Sequence, residues 1–464
     1  MSSQETISGQ VARRCLDITY DRLDDEVIDR TKYLLLDFLG CALRGSLTES
    51  FKPASFLAQK HGAGVDTVPV IGTAERSEVS YFALATGIAA HSIELDDVVN
   101  HASLHPAVAV IPAALGVCYE QKQSGNKCIE AIVAGYELMV KLGIALDPAA
   151  HYARGFHPTG TCGTFGAAVA AGKLLELDAD QLQHAIGIAG SQAAGSMEFL
   201  ADGAYTKRFH AGWSAHGGVV AASLARNGFT GPATIIEGKF GFLRSYSSKF
   251  QPEAVLQKWG TPFEILNTSI KPHACCRYNQ GSIDCIGALM TEHGLREADI
   301  ARVTVAVLDA GFALVAEPAE QKQKPLSVVD AQFSMPFGAA LAIRYGDAFI
   351  NRYVEEEIER PEIRSLMKKV SCVRDVELNR NFPVLWPARV TIETADGRTL
   401  TKQLTYPKGD PENPLSWEEL IAKFKALASA VLPPAQCDEI VKLVREIDRT
   451  ERIETLMHSL RQAR

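Results

Sequence analysis

Three stretches of this chain, Gly166 to Leu177, His184 to Gly195 and Ala211 to Arg226, are composed largely of small residues, Ala and Gly foremost. Side chains this small let helical backbones approach closely, because the distance between packed helices is set by the residues at the contact. Such segments are expected in the middle of a helical bundle. Val27 to Gly45 adds a helix with Leu34, Leu35, Phe38, Leu39 and Ala42 at helical spacing.

After about residue 265 the pattern changes. Arg302 to Leu308 alternates through Val303, Val305 and Val307, which predicts a strand. Arg389 to Thr405 reads as two strands around the turn pair Asp396-Gly397. Between them, Val328 to Ala342 reads as a loop entering a helix. Lys408 to Pro414 (KGDPENP) reads as a turn-rich linker. Ser416 is expected to cap a final helical region that opens with Trp417, Glu418 and Glu419.

The expected fold class is therefore mainly α. A large all-helical domain would form from both chain ends (1–267 plus 408–464), with a smaller α+β lid domain (268–407) inserted. The 464 residues, 47% hydrophobic and 22% charged, are enough for a sizeable core without disulfide or metal staples.

Lys and Arg number 47 against 55 Asp and Glu, a net charge of −8, which argues against a nucleic-acid partner. Met1 to Gln10 lacks the basic-then-apolar pattern of a secretory signal. No segment approaches the ~18–20 apolar residues of a membrane span. The ten cysteines are dispersed and form no C-x-x-C pair, so reduced thiols and a cytoplasmic location are expected. The adjacent Cys275 and Cys276 are poor metal ligands, since neighbouring side chains point apart. The motifs G-x-G-x-x-G, Walker P-loop, G-x-S-x-G and H-E-x-x-H do not occur. No cofactor and no metal are expected.

Four clusters could carry chemistry. In His91 to Pro106 (HSIELDDVVNHASLHP), Glu94, Asp96 and Asp97 precede His101 and His105. A His101/His105 metal pair would need a helix through both, and Pro106 biases His105 away from helical geometry. Pro106 instead suits the first turn of the next helix, placing His105 at a helix N-terminus where anions bind. Gly155 to Thr161 (GFHPTGT) repeats the His-Pro arrangement around His157, with N-capping by Thr159 or Thr161 as the plainer alternative. Asp202 to His216 places Lys207, Arg208 and His210 at the start of a helix, where cations are unfavourable unless an anion compensates. There Lys207, His210 and Ser214 could share a face. Lys271 to Arg277 (KPHACCR) packs Lys271, His273 and Arg277 into seven residues at the change of pattern. Together these clusters suggest His and Lys acids and bases with cationic anchors, suited to a small polycarboxylate.

These clusters, in this order, resemble the MmgE/PrpD family. The matching pieces are ELDD with LHPA downstream, GFHPTGTCGTFGAA, TKRFHAG, KPHACCR, FSMPFGAA and the terminal hairpin followed by KGDPENPLSWEEL. The resemblance implies a homodimer and action on a small di- or tricarboxylate without metal or organic cofactor. His105, His157, Lys207 and Lys271 match positions lining the family's active site, and Glu94 to Asp97 matches its acidic stretch. Animal decarboxylases of the family carry a Thr where this chain has Val98 and a His where it has Cys276, which points away from their specificity.

The expected roles follow. His105, Lys207 and one of Asp96 and Asp97 would be catalytic. His157, Lys271, Arg277, Glu94 and His273 would bind substrate. Dehydration of a 2-methylcitrate-like acid is the first expectation, then iminodisuccinate-type epimerisation, then cis-aconitate decarboxylation. A non-catalytic carboxylate-binding helical scaffold and a metal-dependent hydratase are the readings from other classes.

Overall fold

A computed structural model describes residues 5–64, 66–382 and 385–462. The chain forms two compact units. The first comprises Met1–Ser92, Asp96–Thr268 and Ser416–Arg464, and the second Ile93–Leu95 and Ser269–Leu415. Helix dominates, and among the described residues the one sheet of more than two strands lies in the C-terminal part. Among the described residues, no helix is long and apolar enough to cross a membrane.

The first unit is built on helices α1 (Asp25–Gly45), α2 (Val79–Ala90), α3 (Ala107–Glu120), α4 (Gly125–Ala145), α5 (Pro158–Leu174), α6 (Ala179–Gly190) and α7 (Thr206–Arg226). Helix α1 buries the apolar stripe expected of it, including Leu34, Leu35, Phe38, Leu39 and Ala42. Asp25 and Glu26 in its first turn suit the helix dipole. Helices α5 and α7 meet along a seam of small residues. A Cβ added to Gly218 would collide with the Ala167 Cβ and the Ala168 backbone nitrogen. One added to Gly163 would stand 3.0 Å from Ser214 Cβ, and one added to Gly160 3.2 Å from His210 Cβ. The seam is therefore closed to larger residues at Gly218 and tight at Gly163 and Gly160.

The C-terminal stretch returns to this unit. Ser416 and Glu419 form a capping box that starts the helix Trp417–Ala428. Trp417 packs edge-on against Tyr33, with ring centroids 5.4 Å apart. Lys423 Nζ reaches Asp37 Oδ1 at 2.6 Å, a buried ion pair with side chains 5% and 1% exposed.

In the second unit, strands β1 (Ile300–Val307), β2 (Val370–Arg374), β3 (Ala388–Thr394) and β4 (Thr399–Leu404) form one sheet in the order β2-β1-β3-β4. Strands β1 and β2 run parallel, with Val303 opposite Val370. The other pairings are antiparallel, and the β3–β4 hairpin turns at Asp396-Gly397, where Gly397 takes φ +89°. Val303, Val305 and Val307 are buried, as alternation predicts. The helices Gln280–Glu292 and Met335–Tyr345 belong to this unit.

Two local readings need correction. Val328–Gln332 is a short helix capped by Ser327 rather than a loop, because its hydroxyl accepts from Asp330 N; a second cap at Ser334 then starts Met335–Tyr345. The segment 408–414 is more than a linker. Asp410 is buried and bonded to Arg277 and Ser269, and Gly409 takes φ +94° while its carbonyl accepts from Ile270 N.

Removing Lys423 leaves Asp37 as an uncompensated buried carboxylate. Lys423→Met is expected to lower unfolding stability by about 3 kcal/mol or more, with Asp37→Asn in the same chain recovering most of the loss. Urea unfolding checks both; an unchanged midpoint in the single variant would refute the account.

Candidate active site

Helix α2 ends at Ala90 with His91 as its C-cap. The chain then turns through Glu94, a non-glycine residue at φ +56°. The loop closes where Val99 N donates to Leu104 O, and α3 starts after Pro106. Pro106 cannot supply a side-chain cap, so Asp97 does so from a distance. Its carboxylate accepts from Ala107 N at 3.2 and 3.3 Å and from the Tyr136 hydroxyl at 2.9 Å. Full burial, then the neighbouring Asp96 charge, push the Asp97 carboxyl well above the usual range.

The two adjacent acids therefore face different partners. Asp96 Oδ2 lies 2.8 Å from His91 Nδ1 and 3.2 Å from His105 Nδ1. Asp97 instead holds His105 through the main chain, since His105 Nδ1 also bonds to the Asp97 carbonyl oxygen. A carbonyl only accepts, so His105 Nδ1 carries a proton. The His105 backbone N–H donates to Thr159 Oγ1 at 3.1 Å.

Thr159 thus tethers the loop instead of capping α5, and Thr161 bonds to His151 Nε2 at 2.9 Å. The N-cap of α5 is His157 itself, followed by Pro158. His157 Nδ1 lies 3.2 Å from His210 Nδ1 on α7. One nitrogen must donate and the other accept, so the neutral pair holds one proton between these atoms. Burial first, then the charges of His91, His210 and Lys207, push His157 well below its usual pKa. Burial, His91 and Lys207 lower His210 to about 4. His91 connects the two halves of the cluster: its ring centroid is 5.1 Å from that of His105 and 5.8 Å from that of His157. Lys207 is half-buried one turn before His210. Ser214, expected on the same face, ties α7 to α5 by donating to Gly160 O at 2.7 Å.

His101 stands apart from His105. Its Nε2 is 3.0 Å from Glu264 Oε2, and Lys141 Nζ reaches the same carboxylate at 2.8 Å. Burial pushes Glu264 up, but the hydrogen bonds from His101 and Lys141 outweigh it and hold the carboxyl at about 2. Among the described residues, no group of three or more His, Cys, Asp or Glu side chains is arranged to hold a metal ion.

The remaining candidates lie in the second unit, each near a carboxylate. Lys271, 1% exposed, has Nζ 3.7 Å from Glu94 Oε2. Arg277 bonds to both oxygens of Asp410 at 2.6 and 2.8 Å. His273 accepts from Ala348 N at Nδ1, which leaves its Nε2–H to donate to Asp284 Oδ1 at 2.9 Å. His91, Tyr136, Asp284 and Asp410 were not singled out from the sequence. The spacing of His91 five residues before Asp96 was the only available signal for the first, and Asp410 was hidden in a turn-rich string.

Residues 9–255 match the MmgE/PrpD N-terminal domain and residues 273–448 the MmgE/PrpD C-terminal domain. Curated relatives extend over nearly the whole chain, among them these three. The cis-aconitate decarboxylase-like protein oryM of Aspergillus oryzae is 28% identical over 93% of this chain and 92% of its own length. The cis-aconitate decarboxylase of Aspergillus terreus is 26% identical over 99% and 96%. The human cis-aconitate decarboxylase is 28% identical over 92% and 89%. Two domain models that together span most of the sequence show that this chain belongs to the MmgE/PrpD family and is an enzyme of its dehydratase/decarboxylase type.

Proposed function

We propose that this enzyme is a lyase acting beside a carboxylate of a small tricarboxylic acid, with elimination of water from a 2-methylcitrate-like hydroxy acid as its reaction. The observation that supports this most is the buried Asp96 carboxylate beside His105, whose Nδ1–H is held by the Asp97 carbonyl oxygen. His105 Nε2 would take the proton from the carbon beside a carboxylate. The electron pair left behind forms the new double bond as the carbon–oxygen bond breaks. Lys207 would stabilise the developing negative charge and pass a proton to the departing hydroxyl, which leaves as water. The His157–His210 pair, kept neutral by burial, would offer hydrogen bonds without competing as an acid.

In the second unit, Arg277 is engaged by Asp410, His273 by Asp284 and Lys271 by Glu94. Asp97, turned toward Ala107 and Tyr136, supports the helix start rather than the reaction.

The names of the relatives favour a second reading, loss of carbon dioxide from cis-aconitate. There the carbon–carbon bond breaks with loss of carbon dioxide, the electron pair is delocalised through the double bond, and His105, starting as the imidazolium, would donate the proton that quenches it.

Incubating the protein with 2-methylcitrate, cis-aconitate and iminodisuccinate in heavy water separates the readings. Release of water from 2-methylcitrate supports the first and release of carbon dioxide from cis-aconitate the second. Deuterium exchange without mass loss indicates epimerisation, and inertness toward all three acids defeats the substrate class. His105→Ala is expected to lower kcat by about 10²–10⁴-fold with folding retained. Asp96→Asn should lower kcat strongly, whereas Asp97→Asn should act chiefly on thermal stability. Equal kcat losses in the two Asp variants would contradict this division.

The neutral histidines also predict a pH response. Their folded pKa values lie below the ordinary 6.5, with His210 and His151 at about 4. The unfolded chain then takes up protons first as pH falls. This stabilisation is complete above 6.5 and is lost progressively toward pH 4, at about 1.4 kcal/mol per pH unit for each proton. Urea unfolding midpoints should drop steeply between pH 6.5 and 5; a flat profile there would contradict the neutral pair.

A further inference from the structure

His91 carries none of the expected roles, yet it is wholly buried and central to the cluster. Its Nδ1 lies 2.8 Å from Asp96 Oδ2, closer than the 3.2 Å from that oxygen to His105 Nδ1. Its plane lies 17° from that of His157. Its Nε2 is buried with no hydrogen-bond partner. A buried N–H without an acceptor costs its full desolvation penalty, so Nε2 is the bare nitrogen and Nδ1 carries the proton toward Asp96.

The sequence explains why this nitrogen is so placed. His91 caps the end of α2, and the turn that follows brings Asp96 back against the ring five residues later. The charged and titratable groups around the pair come from several elements. His105 faces Asp96 from the segment before α3, and His157 lies at the start of α5. His210 and Lys207 act from α7, and Asp37 on α1 feels the Asp96 charge. Asp97, beside Asp96 in the chain, is turned toward Ala107 and Tyr136.

We propose that His91 is a positioning residue for proton transfer: its Nδ1–H holds the Asp96 carboxylate in place, so that one carboxylate is shared between His91 and His105. The catalytic part of this inference rests on the proposed role of His105 as base; the sharing itself does not. A carboxylate that accepts from one imidazole and lies 3.2 Å from a second stabilises a charge on either one less than it would stabilise a single partner. Taking His91 away gives Asp96 to His105 alone and favours the His105 imidazolium, the form that cannot accept a proton.

The test uses His91→Leu, which removes the donor, and His91→Asn, whose amide places an N–H near the Nδ1 position. Histidine side-chain nitrogen NMR on the full chain follows the His105 titration directly. His91→Leu should raise the His105 midpoint by about half a pH unit or more, with His91→Asn close to the unaltered protein. In the acid assay, His91→Leu should lower kcat about tenfold, leave KM within about twofold and move the acidic limb of the kcat/KM profile upward, with Asn restoring most of the loss.

An unmoved His105 midpoint in His91→Leu, or equal shifts in both variants, overturns the proposal. Should the Leu variant not fold, isosteric Asp96→Asn decides: the His91 and His105 signals must both move, and movement of one alone overturns the sharing. If the unaltered protein processes none of the acids, the proposed function fails, while the NMR result still decides the role of His91.

Discussion

The close seam between α5 and α7 is the constraint on which the histidine cluster depends. Gly160, Gly163 and Ala167 on one helix meet His210, Ser214 and Gly218 on the other, most closely at Gly218, where a Cβ would collide with Ala167. Interaxial distance follows from the residues at the contact, so larger side chains here would push the helices apart. The seam runs to the N-terminal end of α5, where His157 is the cap, and to the first turns of α7, where His210 lies. Two imidazoles on separate helices are thereby brought to 3.2 Å. The same burial that makes the seam dry keeps both rings neutral. Packing and protonation state thus have one cause.

Asp96 and Asp97 show how a turn assigns different tasks to chemically identical neighbours. Successive side chains leave the backbone in different directions. One carboxylate meets two imidazoles, and the other meets a backbone N–H and a tyrosine hydroxyl. Asp97 secures His105 twice over, by accepting from its ring at the carbonyl and by capping the helix that begins two residues beyond it. The Asp97 carboxylate therefore affects the base through geometry, and the Asp96 carboxylate through charge.

Much of the architecture was legible because it is written in local periodicity. The apolar stripe of Asp25–Gly45, the Val303–Val305–Val307 alternation and the Asp396-Gly397 hairpin all appear where the pattern puts them. The cap at Ser416 was equally visible, and the structure adds Glu419 as the second member of a capping box. What escaped was polar pairing over long separations. Asp410 finds Arg277 across 133 residues, and Tyr136 finds Asp97 across 39. Thr159 looked like a helix cap and instead accepts from His105, 54 residues earlier.

The sequence by itself determined the mainly helical class, the place of the sheet-forming segments, the family and the short list of histidines, lysines and acids. Those follow from spacing, turn chemistry and motif order, all of which are local in the chain. Only the tertiary structure decided which of two adjacent acids meets the imidazoles, which histidines share a proton, that His101 belongs to a separate ion pair and that Arg277 is bound to Asp410. Hydrogen bonds and buried charges depend on distances of a few ångströms between residues far apart in sequence. Those distances exist only after the helices have packed.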